Sequence, residues 1–356
     1  MTPSEKNKKL KPIEQDRRER LRRLKPRAYE KVMQFSDKIQ RGESIAAVVF
    51  QYNYACNFHC SHCSIKRLQN IKDRRSFTHD DVRNLSRQMD ELGLANYFIT
   101  GGEPLMFPDF DEFIAALDPS KFHIGMDSNG WLLDQAKAEH LVKIGIDKIE
   151  LGFDSLSAEE HDAFRHRPGA HARCLRALDA CLAVGLHIIL QTVVTKQRIR
   201  SREFIDFLEF AKSKGVGVAV TYAKPVGMWE GNFDVLVDKD DMAHMRELEQ
   251  KYEVFTHLTP GYGLNLGCIA VKRMITVTQF GDVLPCPYMQ IALGNVLEEP
   301  LKDILERGKR IKYFGQYVDT CLMAEDRNFI NKYVTKLYGK PLPVPHDQIF
   351  EEDDYL

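Results

Sequence analysis

The 356-residue sequence predicts an α/β chain in which parallel strands carry outer helices, as a full or partial barrel or as an open doubly wound sheet, with a smaller module behind it. Three observations predict this. Short β-branched runs alternate with amphipathic stretches; several of those stretches stop at glycine; and from about residue 223 the alternation gives way to a Gly/Pro-rich loop, one more helix and a hairpin pattern.

The strands are expected at AAVVFQY (46–52), NYFIT (96–100), FHIGMDS (122–128), KIELGF (148–153), HIILQTVV (187–194) and VGVAVTY (216–222). Between them, DDVRNLSRQMDELG, DEFIAALD, DQAKAEHLVKIG, ARCLRALDACLAVG and REFIDFLEFAKSKG have the spacing of helices with one apolar face. After the loop KPVGMWEGN come a helix (242–253) and ITVTQFGDVLPC, a hairpin expected to turn at Gly281-Asp282; a smaller module is expected to begin near 255. The expected boundaries are an N-terminal arm (1–45), the strand–helix domain (46–225), a linker and second module (226–325), and a C-terminal helix with an acidic, Pro-rich tail (326–356).

Composition narrows the function classes. Fifty basic against 51 acidic residues argue against nucleic acid as a general partner, and the local excess of +7 over residues 1–45 reads as a solvated helical arm packed on the barrel. No run is long and apolar enough to span a membrane and the amino terminus lacks the apolar region of a signal peptide, so a cytoplasmic protein without a membrane partner is expected. In that compartment thiols stay reduced, so the eight cysteines read as metal ligands, catalysts or core fillers.

Cys56, Cys60 and Cys63 follow the first strand directly, at the end of the barrel where such folds place their chemistry. Thiolates are soft ligands, suited to zinc or to an iron–sulfur cluster; C-x3-C-x2-C lets three sulfurs of one loop converge on three corners of a cubane and leaves the fourth iron open. A zinc site completed by His59 or His62 and a Cys60/Cys63 redox pair are the competing readings. After the second strand comes Thr100-Gly101-Gly102-Glu103-Pro104, whose glycines allow close backbone approach to a ligand and whose Glu103 offers a carboxylate to a cation.

The pair of motifs, C-x3-C-x2-C after one strand and GGEP after the next, resembles the radical S-adenosylmethionine (SAM) enzymes. The resemblance implies a partial (β/α)6 TIM-like barrel holding a [4Fe-4S] cluster on Cys56, Cys60 and Cys63. The open iron chelates the methionyl group of SAM, and reductive cleavage gives a 5′-deoxyadenosyl radical that takes a hydrogen atom from substrate. It implies a low-potential electron donor such as flavodoxin or ferredoxin. It further implies that Gly101, Gly102, Glu103 and Pro104 receive the methionyl amine, that His62 stands where an aromatic residue packs near adenine, and that Ser128 and Asn129 meet the ribose. Arg165, after His161-Asp162, would clamp the carboxylate, with Arg167 as its rival because the segment reads RHRPG where a Gly often follows the Arg. Gln191 and Thr192 are further SAM-site candidates.

Cys268, twelve residues, Gly281, four residues and Cys286, followed by LGN and a helix, resemble the SPASM and twitch extensions of the same superfamily. With Cys321 as the one further thiol, the resemblance implies a twitch-like domain with one auxiliary [4Fe-4S] cluster, closed by substrate or by a residue such as Asp319, Glu325 or Asp326. Cys174 and Cys181, on an outer helix, read as core thiols away from the barrel mouth. Tyr222, Lys224 and Trp229 are named for the substrate pocket. The expected function is hydrogen abstraction from a polar small molecule (sugar, aminoglycoside or nucleotide), oxidising or epimerising it. A peptide-modifying maturase is the alternative, and a non-catalytic zinc-stabilised binding protein the distant one.

Overall fold

In a computed structural model, residues 12–41, 47–71, 74–259 and 267–356 are described; the amino-terminal stretch and 42–46 of the basic segment, and the approach to Cys268, lie outside them. Six parallel strands form the frame: β1 (Ala47–Asn53), β2 (Asn96–Gly101), β3 (His123–Ser128), β4 (Lys148–Gly152), β5 (His187–Val194) and β6 (Gly217–Tyr222), paired in chain order. Side chains alternate between faces along a strand. Residues two apart on these strands, such as Val49 and Gln51, Phe98 and Thr100, Lys148 and Glu150, line one common cavity, so the sheet curls around it. The opposite faces meet the helices through side chains such as Phe50, Tyr97 and Ile149, each fully buried and each contributing about 1.5–3 kcal/mol of hydrophobic stabilisation.

The covering helices begin and end on local chemistry. Thr78 and Asp81 form a reciprocal cap at the start of α1 (His79–Glu91); Asp134, Ser157 and Ser201 cap α3 (Gln135–Ile144), α4 (Ala158–Arg165) and α6 (Arg202–Ser213), while α2 is Phe110–Leu117 and α5 Ala170–Ala183. Gly145, in the left-handed region at φ 101°, stops α3 and returns the chain toward β4.

The sheet does not end with β6. A short β7 (Val254–Phe255) adds beside it, and on the other side β8 (Met274–Val277) pairs parallel to β1, followed by antiparallel β9 (Asp282–Leu284) and β10 (Gly294–Asn295). The sheet stays open, with β7 and β10 as its edges. The expected hairpin is therefore β8–β9, with its turn over 278–281 and Gly281 at φ 89°, and it continues the barrel sheet. Helix α8 (Leu301–Arg310) follows, after α7 (Lys239–Lys251) earlier in the chain.

Two ends of the chain are less loose than their polarity suggests. The arm forms two helices, 12–24 and 26–40, and Lys25 between them donates to the Phe122 and Gly145 carbonyls (3.1 and 2.7 Å) and to Asp147 beneath the barrel. Arg20 reaches the Gly185 carbonyl (2.7 Å), so the arm covers the lower ends of the strands. At the other terminus Phe350 packs on Tyr313, Phe314 and Tyr333, and Val344–Pro345 pair with Ile291–Ala292.

Candidate active site

The chain leaving β1 carries Cys56, Cys60 and Cys63 over the upper mouth of the barrel. The residues that border the first cavity, of 190 Å³, come from loops and strand ends, among them Cys56, Cys60 and Cys63, then His62, Gly101, Gly102, Glu103, Ser128 and Asn129, with Arg165 from the end of α4. Gln191, Thr192, Tyr222, Lys224 and Trp229 also border it, so sequence candidates from every part of the barrel meet in one place. Pro104 does not; it is buried and starts the turn 104–106.

The glycines are required by backbone packing. The Gly102 and Glu103 amides donate to the Asn53 and Ala55 carbonyls (2.7 and 3.0 Å), which lays the segment against the root of the cysteine loop. A Cβ on Gly101 would lie 2.2 Å from the Asn53 carbonyl oxygen, and one on Gly102 1.8 Å from that of Ala55. With those amides spent, the segment offers a ligand its carbonyl oxygens, suited to an ammonium group.

Glu103 is buried and accepts from the Asn129 amide (2.7 Å), the Ser128 hydroxyl (3.0 Å) and the Leu105 amide (3.2 Å). Burial raises its carboxyl to about 7, against these hydrogen bonds. Its visible work is to tie the turn after β3 to the turn after β2. Ser128 is committed both ways, since its oxygen also accepts from Gly130 (3.1 Å), whereas the Asn129 amide group reaches Asn57 (2.7 Å) on the cysteine loop.

Arg165, at the end of α4, donates through Nε and Nη2 to Asp154 (2.7 and 2.6 Å) and points Nη1 toward Cys60. Burial works to raise the Asp154 carboxyl, but the Arg165 guanidinium together with His62, Arg198 and His161 holds it well below the usual range. Asp154 also accepts from Thr192 (3.3 Å) and the Val193 amide (3.1 Å), so Thr192 is part of this anchor. Arg167 instead lies over the Trp131 ring, 4.3 Å from its centroid. His62 stacks on Phe164 (4.6 Å, 14°) beside Trp229; burial, then Arg165, lower its imidazole to about 4, and Nδ1 is buried without a partner.

A second, larger cavity of 530 Å³ continues inward. Its borders include Cys268, Cys286 and Cys321 on one side and the inner faces of β1 to β6 on the other. The two cavities share Thr100, Asp127, Gln191, Thr221, Lys224 and Tyr288 among their walls, so they adjoin across these side chains. Lys224 is buried, donates to the Tyr222 carbonyl (2.7 Å) and lies over the Tyr288 ring (4.0 Å); burial lowers its ammonium while Cys321, Cys286 and Cys268 oppose that. None of Asp319, Glu325 and Asp326 borders this cavity: Glu325 accepts from the Cys321 amide (3.3 Å), Asp326 caps the turn before Phe329 (2.9 Å), and Asp319 is exposed.

The donor sets fit iron–sulfur clusters. Each set offers three soft thiols; burial, with the neighbouring cysteines acting in the same direction, raises the Cys56 and Cys286 thiols to about 11 and 12, and a cation bound among the sulfurs would favour their ionised form.

Sequence reasoning missed Asp127, Glu150, Asp154 and Tyr288. The signal for the first two was polarity at alternate positions of buried strands, as in Lys148-Ile149-Glu150. Cys174, expected away from the mouth, packs behind it, with Sγ 3.3 Å from the Gly152 carbonyl and 3.7 Å from that of Asn129; Cys181 is buried as expected.

Comparison with known proteins agrees. Residues 51–211 match the Radical SAM superfamily and 268–326 an iron–sulfur cluster-binding domain, SPASM. The chain thus carries a radical SAM domain followed by a SPASM-type auxiliary domain; its cofactors are SAM, a radical SAM [4Fe-4S] cluster and an auxiliary cluster. It is 23% identical to the AdoMet-dependent heme synthase of Methanosarcina barkeri over 290 residues, 74% of this chain and 82% of the relative. It is 28% identical to the GTP 3′,8-cyclase of Staphylococcus aureus over 231 residues, 63% of this chain and 66% of that one. In structure it is similar to Streptococcus suis SuiB bound to precursor peptide SuiA, with TM-score 0.60 and 18% identity over 78% of this chain and 69% of SuiB. These matches replace the zinc-stabilised binding reading. Among the described residues no helix is long and apolar enough to cross a membrane.

Proposed function

We propose that the chain abstracts a hydrogen atom from a polar small molecule held in the inner cavity and oxidises or epimerises it, in the cytoplasm, with electrons from a flavodoxin- or ferredoxin-type donor. The observation that carries this reading is that the two cavities adjoin through shared walls, with one cysteine triad bordering each.

Bound at Cys56, Cys60 and Cys63, the cluster and SAM supply a 5′-deoxyadenosyl radical; the chain supplies placement and exclusion of water. In this reading Gly101 and Gly102 hold the methionyl amine, with Glu103 bracing the turn, Nη1 of Arg165 faces the carboxylate, Asn129 meets the ribose, and His62 packs near the adenine. Gln191, Tyr222, Lys224 and Trp229 line the way to the substrate. Cys268, Cys286 and Cys321 hold the auxiliary cluster, and since none of Asp319, Glu325 and Asp326 borders the cavity, a substrate heteroatom completing it is the favoured arrangement. A cavity of 530 Å³ favours a sugar-sized or nucleoside-sized molecule over a peptide.

The test is anaerobic reconstitution, dithionite reduction and detection of 5′-deoxyadenosine with deuterated sugars, aminoglycosides or nucleotides. Deuterium entering 5′-deoxyadenosine supports the reading. Transfer only from a peptide carrying an intact leader would replace it with the maturase.

A further inference from the structure

Asp127 is, among the described residues, the one carboxyl that borders both cavities, and so it stands where a substrate reaches from the inner space toward the SAM site. Its surroundings leave it short of a cation. In the parallel register Asp127 is directly opposite Glu150 on β4. Glu150 is supplied: Lys148 donates to one oxygen at 2.6 Å and Gln191 to the other at 3.3 Å. Asp127 has Thr100 within hydrogen-bonding reach. Glu103 approaches from the turn after β2, and Tyr288, from the auxiliary module, is turned to Thr221. Thus three carboxyls converge near the junction with Lys148 as their near ammonium; the Arg165 guanidinium, which acts on Glu103, is committed to Asp154, and Lys224 is placed toward the auxiliary thiols.

We infer that Asp127 is a specificity-determining residue that receives a protonated nitrogen of the substrate, which makes the substrate class an amine-bearing polar molecule oriented with its ammonium toward β3 and its other end toward Cys268, Cys286 and Cys321. This rests on the inner cavity being the substrate site. A bare anion at this position would meet Glu150 and Glu103 as well as Asp127, whereas an ammonium completes the same set with charge-assisted hydrogen bonds. Burial and then Glu150 raise the Asp127 carboxyl to about 8, so the empty site holds a proton that leaves for solvent when the ammonium arrives. The change balances as one cation bound and one proton released to buffer.

Calorimetry of the reconstituted holoenzyme with SAM decides it, using glucosamine and glucose as probes, two rings that differ in one ammonium. Expected are binding of glucosamine about tenfold or more tighter than glucose near pH 7, as a charge-assisted contact implies, and a proton released, read by titrating in buffers of different ionisation enthalpy. Asp127→Asn should abolish both the preference and the release, and Asp127→Glu should restore part of each. Equal affinity for the two rings, binding of neither, or a preference that survives in Asp127→Asn overturns the inference. If Asp127→Asn loses iron and cannot be judged, the proton count of the unaltered enzyme decides alone. Because no turnover is needed, a negative result here stands apart from a failure to form 5′-deoxyadenosine, which would overturn the proposed reaction instead.

Discussion

Asp154 and Arg165 are joined through two guanidinium nitrogens, Nε at 2.7 Å and Nη2 at 2.6 Å, and this pair aims the remaining nitrogen at the cysteine loop. In the proposed role of Arg165 as a carboxylate clamp, its orientation is preset by Asp154, in the loop after β4, before any ligand arrives. Arg165→Ala is expected to weaken SAM binding by about 1.5–3 kcal/mol and, by stranding Asp154, to lower stability by about 3–5 kcal/mol. Equilibrium dialysis with SAM and denaturant unfolding measure the two. Arg167→Ala should change neither by more than a few tenths, since it rests on Trp131; an affinity loss there would transfer the clamp to Arg167.

The two cysteine triads should separate in metal content and activity. Cys56→Ala should abolish reductive cleavage of SAM, while Cys286→Ala should lower iron from about eight toward four per chain. Iron analysis with 5′-deoxyadenosine assay tests both. Full iron in Cys286→Ala would remove that residue from the auxiliary site.

His187, at the lower end of β5, makes stability depend on pH. Burial, then the Arg17 cation, lowers its imidazole to about 2. The unfolded chain binds a proton below its ordinary value of about 6.5 and the folded chain does not, so stability falls as pH drops below that value. Between about pH 7 and pH 5 the loss from this group is on the order of 2 kcal/mol. Urea unfolding of His187→Gln should show a shallower acid slope; an unchanged slope would place the effect on other histidines.

Lys25 fastens the arm under the barrel through Phe122, Gly145 and Asp147. Lys25→Ala removes a buried charge whose partner remains, with an expected loss of about 3–5 kcal/mol, and Lys25→Met, which keeps the aliphatic stem, should lose less by refilling the space. Hydrogen exchange of residues 12–41 should rise in both. Unaltered exchange would show that the arm is held by its apolar face alone.

Local pattern alone determined a good part of this protein. Alternating β-branched and amphipathic runs specify the six strands and their helices because period and helix-ending glycines are properties of neighbouring residues. Two parts of the candidate site were legible for the same reason: three thiols within one loop, and Gly101-Gly102, where a Cβ would strike the Asn53 and Ala55 carbonyls. Tertiary structure alone decided how distant residues meet. That β8 joins β1, so that the auxiliary module extends the barrel sheet, depends on pairing across more than two hundred residues. That Asp154 presets Arg165, and that Asp127 stands opposite Glu150 at the junction of two cavities, depends on strand register, which no single segment encodes. Each strand writes its own alternation, but only the assembled barrel determines which polar side chains face one another across the space it encloses.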